Sequence, residues 1–164
     1  MPLVLTRIDD RLIHGQVVIG WGNYIHPDRI ILCSDSIASS PWQRELYEAA
    51  GAMAMYNVTI SIWTETETIH FFQHDDAVNK EKILLLVESP EDINRLVENH
   101  VQIGVVNVGG MHFKRGRRQI APYIFVSDED IASFQQLLER NLTVEGQDVP
   151  TSKKLDIAKL LEAS

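Results

Sequence analysis

The chain has 164 residues, of which 45% are hydrophobic and 23% are charged, and its net charge at neutral pH is −8. This acidic balance argues against general nucleic-acid binding, and no apolar run approaches the ~20 residues of a membrane-spanning helix. The single cysteine, Cys33, excludes an internal disulfide and the opening residues lack a secretory-signal pattern, so we expect a cytoplasmic protein of one globular domain.

Strand patterns and helix patterns alternate along the chain. Five short runs rich in aliphatic residues predict strands at residues 3–8, 29–34, 58–63, 82–88 and 103–108. Helical patterns occupy residues 15–25, 40–53, 64–73, 89–100 and 127–140. Two further strands are expected near residues 123–126 and 142–145, with a short helix from about residue 155. The alternation predicts an α/β fold, a three-layer, open and mostly parallel twisted sheet with helices on both faces.

Three of the predicted helices begin with recognisable signals. Thr64 stands three residues before Glu67, which is the spacing of a capping box. Ser89 is followed by Pro90 and by two acidic residues, which suits an N-cap residue and a first helical turn. Ser127 also precedes acidic residues at the start of its helix. These signals place the helix starts directly after strands or short loops.

An unusually charged loop, TRIDDRLIHGQV at residues 6–17, connects the first strand to the first helix. It lies at the carboxyl end of that strand, and this edge of an open α/β sheet is where ligands bind. His14 is predicted to stand at the helix N-terminus, whose free N–H groups and dipole attract an anion. Gly15 has no Cβ to obstruct the approach of a ligand to the backbone.

The other charged residues of this loop suit a phosphoryl group carried on His14. Neutral imidazole is a good nucleophile near neutral pH. Arg7 and Arg11 are planar cations that match phosphate oxygens, and Asp9 or Asp10 can orient the imidazole or anchor an arginine. From spacing alone, a surface loop with a few ion pairs is an equally good interpretation.

Two segments resemble a known family. RIDDRLIHGQV, residues 7–17, closely resembles the start of the IIB components of the mannose/fructose/sorbose family of the bacterial sugar phosphotransferase system. VVNVGGMHFKRGRRQI, residues 105–120, is similar to the loop that follows the fifth strand in that family. RIILCSDSIA at residues 29–38 and SDEDIASF at residues 127–134 agree as well. The resemblance extends over nearly the whole chain.

The resemblance implies a phosphocarrier function for one IIB domain over residues 1–164. A IIA protein phosphorylated on histidine donates its phosphoryl group to His14, and His14 passes it to a sugar imported through the membrane partners IIC and IID. The activity implied is that of a protein-Npi-phosphohistidine–sugar phosphotransferase without a metal or other cofactor. The protein is then expected in the cytoplasm, peripherally associated with the IIC/IID complex.

The resemblance also assigns supporting residues and a sugar class. The residues that cradle the phosphate carry over onto Arg7, Asp10, Arg11 and Gly15. The MHF that follows NVGG, and VEGQDVPT at residues 144–151, are more similar to the N-acetylgalactosamine/galactosamine branch than to the mannose or sorbose branches. Mannose, fructose and sorbose stay as alternatives, because this chain has GG at residues 109–110 where the N-acetylgalactosamine/galactosamine branch often has GN.

A basic run interrupts the acidic chain in HFKRGRRQI. We predict that it forms a docking surface for the acidic rim of IIA or for loops of IIC/IID, which would speed association in a salt-dependent manner. The residues of this predicted surface are Lys114, Arg115, Arg117 and Arg118. A solvated loop without a partner is the alternative.

Three more residues stand near the same edge of the predicted sheet. Ser34 is predicted to hydrogen-bond the phosphate, since it follows the second strand. Cys33 is a rival nucleophile, because other IIB families carry phosphate on a cysteine that follows a strand. His112 either approaches the active edge or is solvated.

Two other functions use similar residues. A histidine-nucleophile phosphomonoesterase needs a second acid or base to activate water, and the candidates in the sequence are Asp9 and Asp10. A non-catalytic module would bind phosphate or a sugar phosphate reversibly at the same helix N-terminus.

Overall fold

The computed structural model describes residues 3–12 and 15–164. Over these residues the strands, in chain order, are β1 (Leu3–Asp9), β2 (Arg29–Cys33), β3 (Thr59–Trp63), β4 (Ile83–Val87), β5 (Val105–Gly110), β6 (Arg118–Ala121), β7 (Ile124–Val126), β8 (Thr143–Gly146) and β9 (Leu155–Asp156). The main sheet has the order β3-β2-β4-β1-β5-β8-β9, and β6 pairs with β7 in a separate ribbon. Neighbours in the main sheet are parallel except β8 and β9.

The helices that connect these strands are α1 (Gly15–Ile25), α2 (Asp35–Ala38), α3 (Pro41–Ala54), α4 (Glu65–His74), α5 (Pro90–Glu98), α6 (Asp128–Glu139) and α7 (Ile157–Ala163). The predicted starts are confirmed, because Thr64, Ser89 and Ser127 each form a capping box with the residue three positions later. Within the described part of the chain, no helix is both long and apolar enough to cross a bilayer.

Two hydrophobic cores lie on opposite faces of the main sheet. In β2, Ile31 belongs to one core, whereas its neighbours Ile30 and Leu32 belong to the other, as the two-residue period of a strand requires. The first core includes Phe134 of α6, and the second includes Trp21 of α1. This arrangement confirms the predicted three-layer α/β fold with helices on both faces.

The carboxyl-terminal half departs from a simple alternation of strands and helices. The strand predicted near residues 123–126 exists as β7, but it pairs with β6 in an antiparallel hairpin outside the main sheet. Two residues separate β6 from β7, a distance that allows a hairpin but no crossover helix. A two-residue antiparallel strand, β9, precedes the predicted terminal helix.

The parallel strands bring separate segments to one edge of the sheet. β1 lies between β4 and β5, so the residues that follow Asp9 meet those that end β5 at Gly110. Asp10 N–H donates to the carbonyl of Gly110 at 3.0 Å, which fastens the start of the charged loop to β5. This edge contains the candidate site.

Candidate active site

The charged loop begins with a tight turn at the end of β1. Leu12 N–H donates to the carbonyl of Asp9 at 3.0 Å, and Arg11 N–H donates to Asp9 Oδ1 at 3.1 Å. Leu12 has a φ of 56°, which is strained for a bulky residue, and its side chain is buried in the second core. The predicted nucleophile His14 lies outside the described residues, and Gly15 directly after it is the first residue of α1.

Arg7 is fully buried beneath this turn. Its Nη1 donates to the side-chain oxygen of Asn107 and, at 2.8 Å, to the carbonyl of Gln147. Its Nη2 donates to the carbonyl of Asp148 at 2.7 Å and lies 3.2 Å from Asp9 Oδ2. Burial lowers the pKa of Arg7 to about 10, although Asp9 opposes this effect. Arg7 therefore joins β1 to β5 and to the segment after β8, and its predicted phosphate-binding or supporting role stays a prediction.

Arg11 is held in a planar fork by Asp9. Its Nε and Nη2 atoms donate to Asp9 Oδ1 and Oδ2, both at 2.9 Å, and Nη2 also reaches the carbonyl of Gly109 at 3.2 Å. The Arg11 side chain is 42% exposed and its Nη2 also lies 3.5 Å from Asp148 Oδ1, whereas Nη1 donates to no acceptor among the groups that the structure describes. The hydrogen bond to Asp9 raises the pKa of Arg11. Arg11 therefore presents one open edge of a fixed cation at the carboxyl edge of the sheet.

Two consecutive glycines make room for these arginines. A Cβ on Gly109 would lie 1.9 Å from Arg7 Cζ, and a Cβ on Gly110 would lie 2.9 Å from Asp9 Oδ1 and 3.0 Å from Arg11 Nε. A side chain at position 109 would require the Arg7 guanidinium to move, and one at position 110 would require the Asp9 carboxylate and the Arg11 guanidinium to shift. The GG of the fifth strand is therefore part of the site, because it permits the close approach of both arginines.

Asp10 has different partners from those of Asp9. Its Oδ2 accepts from His112 N–H at 2.9 Å, lies 2.6 Å from His112 Nδ1 and is 3.6 Å from Arg117 Nη1. Arg117 Nε in turn lies 3.3 Å from Asp130 Oδ2 at the start of α6. Asp10 therefore anchors the segment after β5. Its Oδ1 is buried and has no partner among the described residues.

The whole described chain matches one family of known proteins. The model of the PTS system sorbose subfamily IIB component matches residues 3–164. The chain belongs to this family. As a IIB component of the phosphotransferase system, it transfers a phosphoryl group from IIA to a sugar, and such components work with IIA and the membrane components IIC and IID. The predicted family and phosphotransferase activity are thereby confirmed.

Curated relatives of this IIB component carry several sugar names. It is 36% identical to the N-acetylgalactosamine-specific phosphotransferase enzyme IIB component 2 of Escherichia coli K12, over 98% of this chain and 100% of the relative. It is 34% identical to the PTS system fructose-specific EIIB component of Bacillus subtilis, over 98% of this chain and 96% of that relative. It also spans 49% of the mannose-specific EIIAB component of Escherichia coli K12, at 35% identity.

Solved structures agree with the fold of this IIB component. The IIBSor domain of the sorbose permease from Klebsiella pneumoniae superimposes with a TM-score of 0.92 and 27% identity, covering 100% of this chain and 98% of that domain. The N-acetylgalactosamine-specific IIB component 1 from Escherichia coli has a TM-score of 0.84 and 31% identity, and the match covers 93% of this chain and 97% of that protein.

Ser34 and Cys33 lie at the same sheet edge of the IIB component, but among acidic side chains. Ser34 is 7% exposed and its Oγ donates to Glu88 Oε1 at 2.6 Å, so its single hydroxyl proton is engaged. The adjoining cavity is lined by several carboxylates and by one cation, Arg95, which is itself paired with Glu65 and Asp92 at 2.6 Å. The Ser34 hydroxyl is thus engaged by Glu88, and its hydrogen bond to a phosphate stays a prediction. Burial raises the pKa of the Cys33 thiol to about 12, which disfavours the nucleophilic thiolate.

The basic segment of the IIB component divides into two groups. Lys114 and Arg115 are exposed, and Arg118 is exposed beside Asp128, whose carboxylate is 3.5 Å from its guanidinium. Arg117 differs, because its side chain is only 13% exposed and its Nη1 donates to the carbonyl of His112 at 2.9 Å. Arg117 thus stabilises the segment, and the exposed basic residues of the segment are the other three.

Sequence reasoning missed several residues that build this IIB site. Asn107, Gln147 and Asp148 all receive hydrogen bonds from Arg7, yet they lie 100 residues or more from it along the chain. The NVGG and EGQD segments were signalled only by family resemblance, since no local spacing relates them to the first strand. His112 carried a weak signal through its place in the GGMHF loop.

Proposed function

We propose that this IIB component carries the phosphoryl group on His14 and that Arg11 is its principal side-chain partner. The observation that carries this proposal is the Asp9–Arg11 fork, which leaves one guanidinium edge open three residues before His14. Gly15 then begins α1, so backbone N–H groups of a helix N-terminus adjoin the same histidine in the chain.

The proposed chemistry follows from these charges. A neutral nitrogen of His14 attacks the phosphorus of phosphohistidine on IIA, and the P–N bond to the donor breaks as the new P–N bond forms. Arg11 and the helix N-terminus stabilise charge on the three equatorial oxygens, while Arg7 and Asp9 hold Arg11 in place. A sugar hydroxyl oxygen then takes the phosphoryl group and frees His14.

The surface formed by Lys114, Arg115 and Arg118 supports docking of an acidic partner. These residues are exposed on the segment that Asp10 and Arg117 fasten next to the site. Opposite charge on the rim of IIA would raise the association rate and make it depend on ionic strength. The same surface then faces loops of IIC and IID when the IIB component associates peripherally with them in the cytoplasm.

For the sugar, we propose N-acetylgalactosamine or galactosamine. Two Escherichia coli relatives named for N-acetylgalactosamine are 36% and 33% identical to this chain. Fructose, mannose and sorbose relatives lie within the same range of identity, so the choice is tested directly. Membranes that contain IIC and IID of each branch are incubated with this IIB component, and the phosphorylated sugar is measured. Faster phosphorylation of mannose, fructose or sorbose would overturn this choice.

The experiment that tests the proposed carrier residue is intact mass after incubation with phosphoenolpyruvate, the general phosphotransferase proteins and a family IIA. We expect wild type to gain one phosphate that brief acid treatment removes, and His14→Ala to gain none. Labelling of His14→Ala would assign the carrier to another residue. Continuous release of inorganic phosphate by wild type would favour a phosphomonoesterase, and reversible phosphate binding without a covalent adduct would favour a binding module.

A further inference from the structure

The imidazole of His112 is held by a nearly buried carboxylate. Asp10 Oδ2 lies 2.6 Å from His112 Nδ1 and accepts the backbone N–H of the same residue at 2.9 Å, while the Asp10 side chain is only 10% exposed. Two contacts from one residue to one carboxyl oxygen fix both the backbone and the ring. His112 is therefore positioned, in contrast to a solvated surface histidine whose ring is free to rotate.

The network extends from His112 to the start of α6. Arg117 Nη1 donates to the carbonyl of His112 at 2.9 Å and lies 3.6 Å from Asp10 Oδ2. Arg117 Nε lies 3.3 Å from Asp130 Oδ2, and Asp130 also completes the capping box of α6. His112 is thus supported from β1, from its own segment and from a helix.

One ring nitrogen of His112 is left open by this arrangement. Because Nδ1 is engaged by Asp10, Nε2 is the nitrogen that is available to a ligand, and the side chain is 56% exposed. When both nitrogens carry protons, Nδ1–H stays on the carboxylate and Nε2–H is a donor of a charge-assisted hydrogen bond.

His112 and Arg11 are each held by a carboxylate, and the two carboxylates belong to consecutive residues at one edge of the sheet. Asp9 holds Arg11, and Asp10 holds His112. Arg11 Nε packs against Gly110, the last residue of β5, and His112 follows two positions later. Both positioned side chains are therefore held by carboxylates of the turn that leads towards His14.

We propose that His112 is a further phosphoryl-binding residue, whose Nε2–H donates to an oxygen of the phosphoryl group on His14 while Asp10 holds its Nδ1–H. This inference rests on the proposed function of His14 as the carrier. His112 transfers no group, and its N–H donor stabilises charge beside Arg11. Asp10 acts through His112 and is a positioning residue.

The experiment compares His112→Ala and His112→Gln with wild type in transfer from phosphorylated IIA. We expect His112→Ala to lower kcat on the order of 10²-fold with KM for IIA unchanged. Because the Gln side chain retains an N–H donor, His112→Gln should recover part of this loss. His74→Gln is the matched control, since His74 is exposed at the far end of α4, away from the carboxyl edge, and it should transfer at the wild-type rate.

A spectroscopic measurement separates phosphoryl binding from a merely structural role. In ¹⁵N NMR spectra, phosphorylation of the wild-type protein should shift the Nε2 resonance of His112, and His14→Ala treated in the same way should show no shift. An unchanged resonance, wild-type kcat in His112→Ala or an effect confined to KM would overturn the inference about His112. In each of these cases, His14-dependent labelling of wild type would leave the proposed carrier function intact, whereas absent labelling would overturn that function itself.

Discussion

The guanidinium of Arg7 occupies the space in which a side chain on Gly109 would begin, because a Cβ there would lie 1.9 Å from Arg7 Cζ. Arg7 cannot yield this space easily, since it is fully buried and its Nη1 and Nη2 atoms donate to three acceptors in two distant segments of the chain. The pair links β1 and β5 directly below the charged loop that leads to the proposed carrier, His14.

Gly109→Ala should therefore reduce stability strongly. The added methyl group must displace a buried, hydrogen-bonded cation, and we expect the free energy of unfolding in urea to fall by about 3 kcal/mol. Gly104→Ala is the control, because a Cβ there meets nothing within 4 Å, and it should change the free energy by no more than about 0.5 kcal/mol. Equal effects of the two substitutions would contradict the tight confinement of Arg7.

Arg11→Ala should impair phosphoryl transfer far more than folding. Loss of a positioned donor to the transition state predicts a decrease in kcat of about 10²-fold. Loss of the fork also leaves Asp9 with fewer charge-assisted bonds, so the free energy of unfolding should fall by about 1–2 kcal/mol. Stopped-flow transfer from phosphorylated IIA and urea unfolding measure the two effects separately.

Arg11→Lys distinguishes the shape of the guanidinium from its charge. Lysine keeps the positive charge but cannot form two parallel bonds to Asp9 and present a further edge. We expect transfer to be slower than in wild type and faster than in Arg11→Ala. A wild-type rate in Arg11→Lys would show that charge alone is sufficient.

Family resemblance and local pattern predicted the fold better than the site. Capping residues such as Ser89 and strand runs such as Ile83–Val87 are local signals, so the elements and their alternation were predictable. The burial of Arg7 was not predictable, because its acceptors Gln147 and Asp148 come from a distant segment that only the sheet order brings beside β1. Adjacent carboxylates with separate partners also give no sequence signal, since Asp9 and Asp10 differ only in the direction of their side chains.

Cys33 should make stability depend on alkaline pH. Burial raises the pKa of its thiol from 9.0 to about 12, so between these values the folded state keeps a proton that the unfolded state releases. The stabilisation is complete below pH 9 and is lost as the pH rises towards 12, with a slope that approaches about 1.4 kcal/mol per pH unit. The free energy of unfolding, measured in urea at increasing pH, should therefore fall more steeply for wild type than for Cys33→Ala. If the free energy of unfolding depended on pH equally in both proteins, the raised pKa of the Cys33 thiol would be contradicted.

Charge reversal at Lys114 and Arg115 should slow docking without changing the chemistry. For Lys114→Glu with Arg115→Glu, we expect the association rate with phosphorylated IIA to fall about tenfold or more at low salt, and the difference to shrink as salt is added. Lys80→Glu, which changes an exposed lysine after β3 and α4, is the control and should have a small effect. A decrease that is independent of salt would argue against electrostatic docking.

Arg7 contacts residues of β1, β5 and the segment after β8, which are far apart in the chain. Asp9, which pairs with Arg7, also holds Arg11 in place. A nascent or partly unfolded chain lacks this arrangement until the residues near Asp148 have joined the sheet. With His14 as the proposed carrier, an incompletely folded chain would offer IIA this histidine before Arg11 is held in place, so efficient phosphorylation would require completed folding.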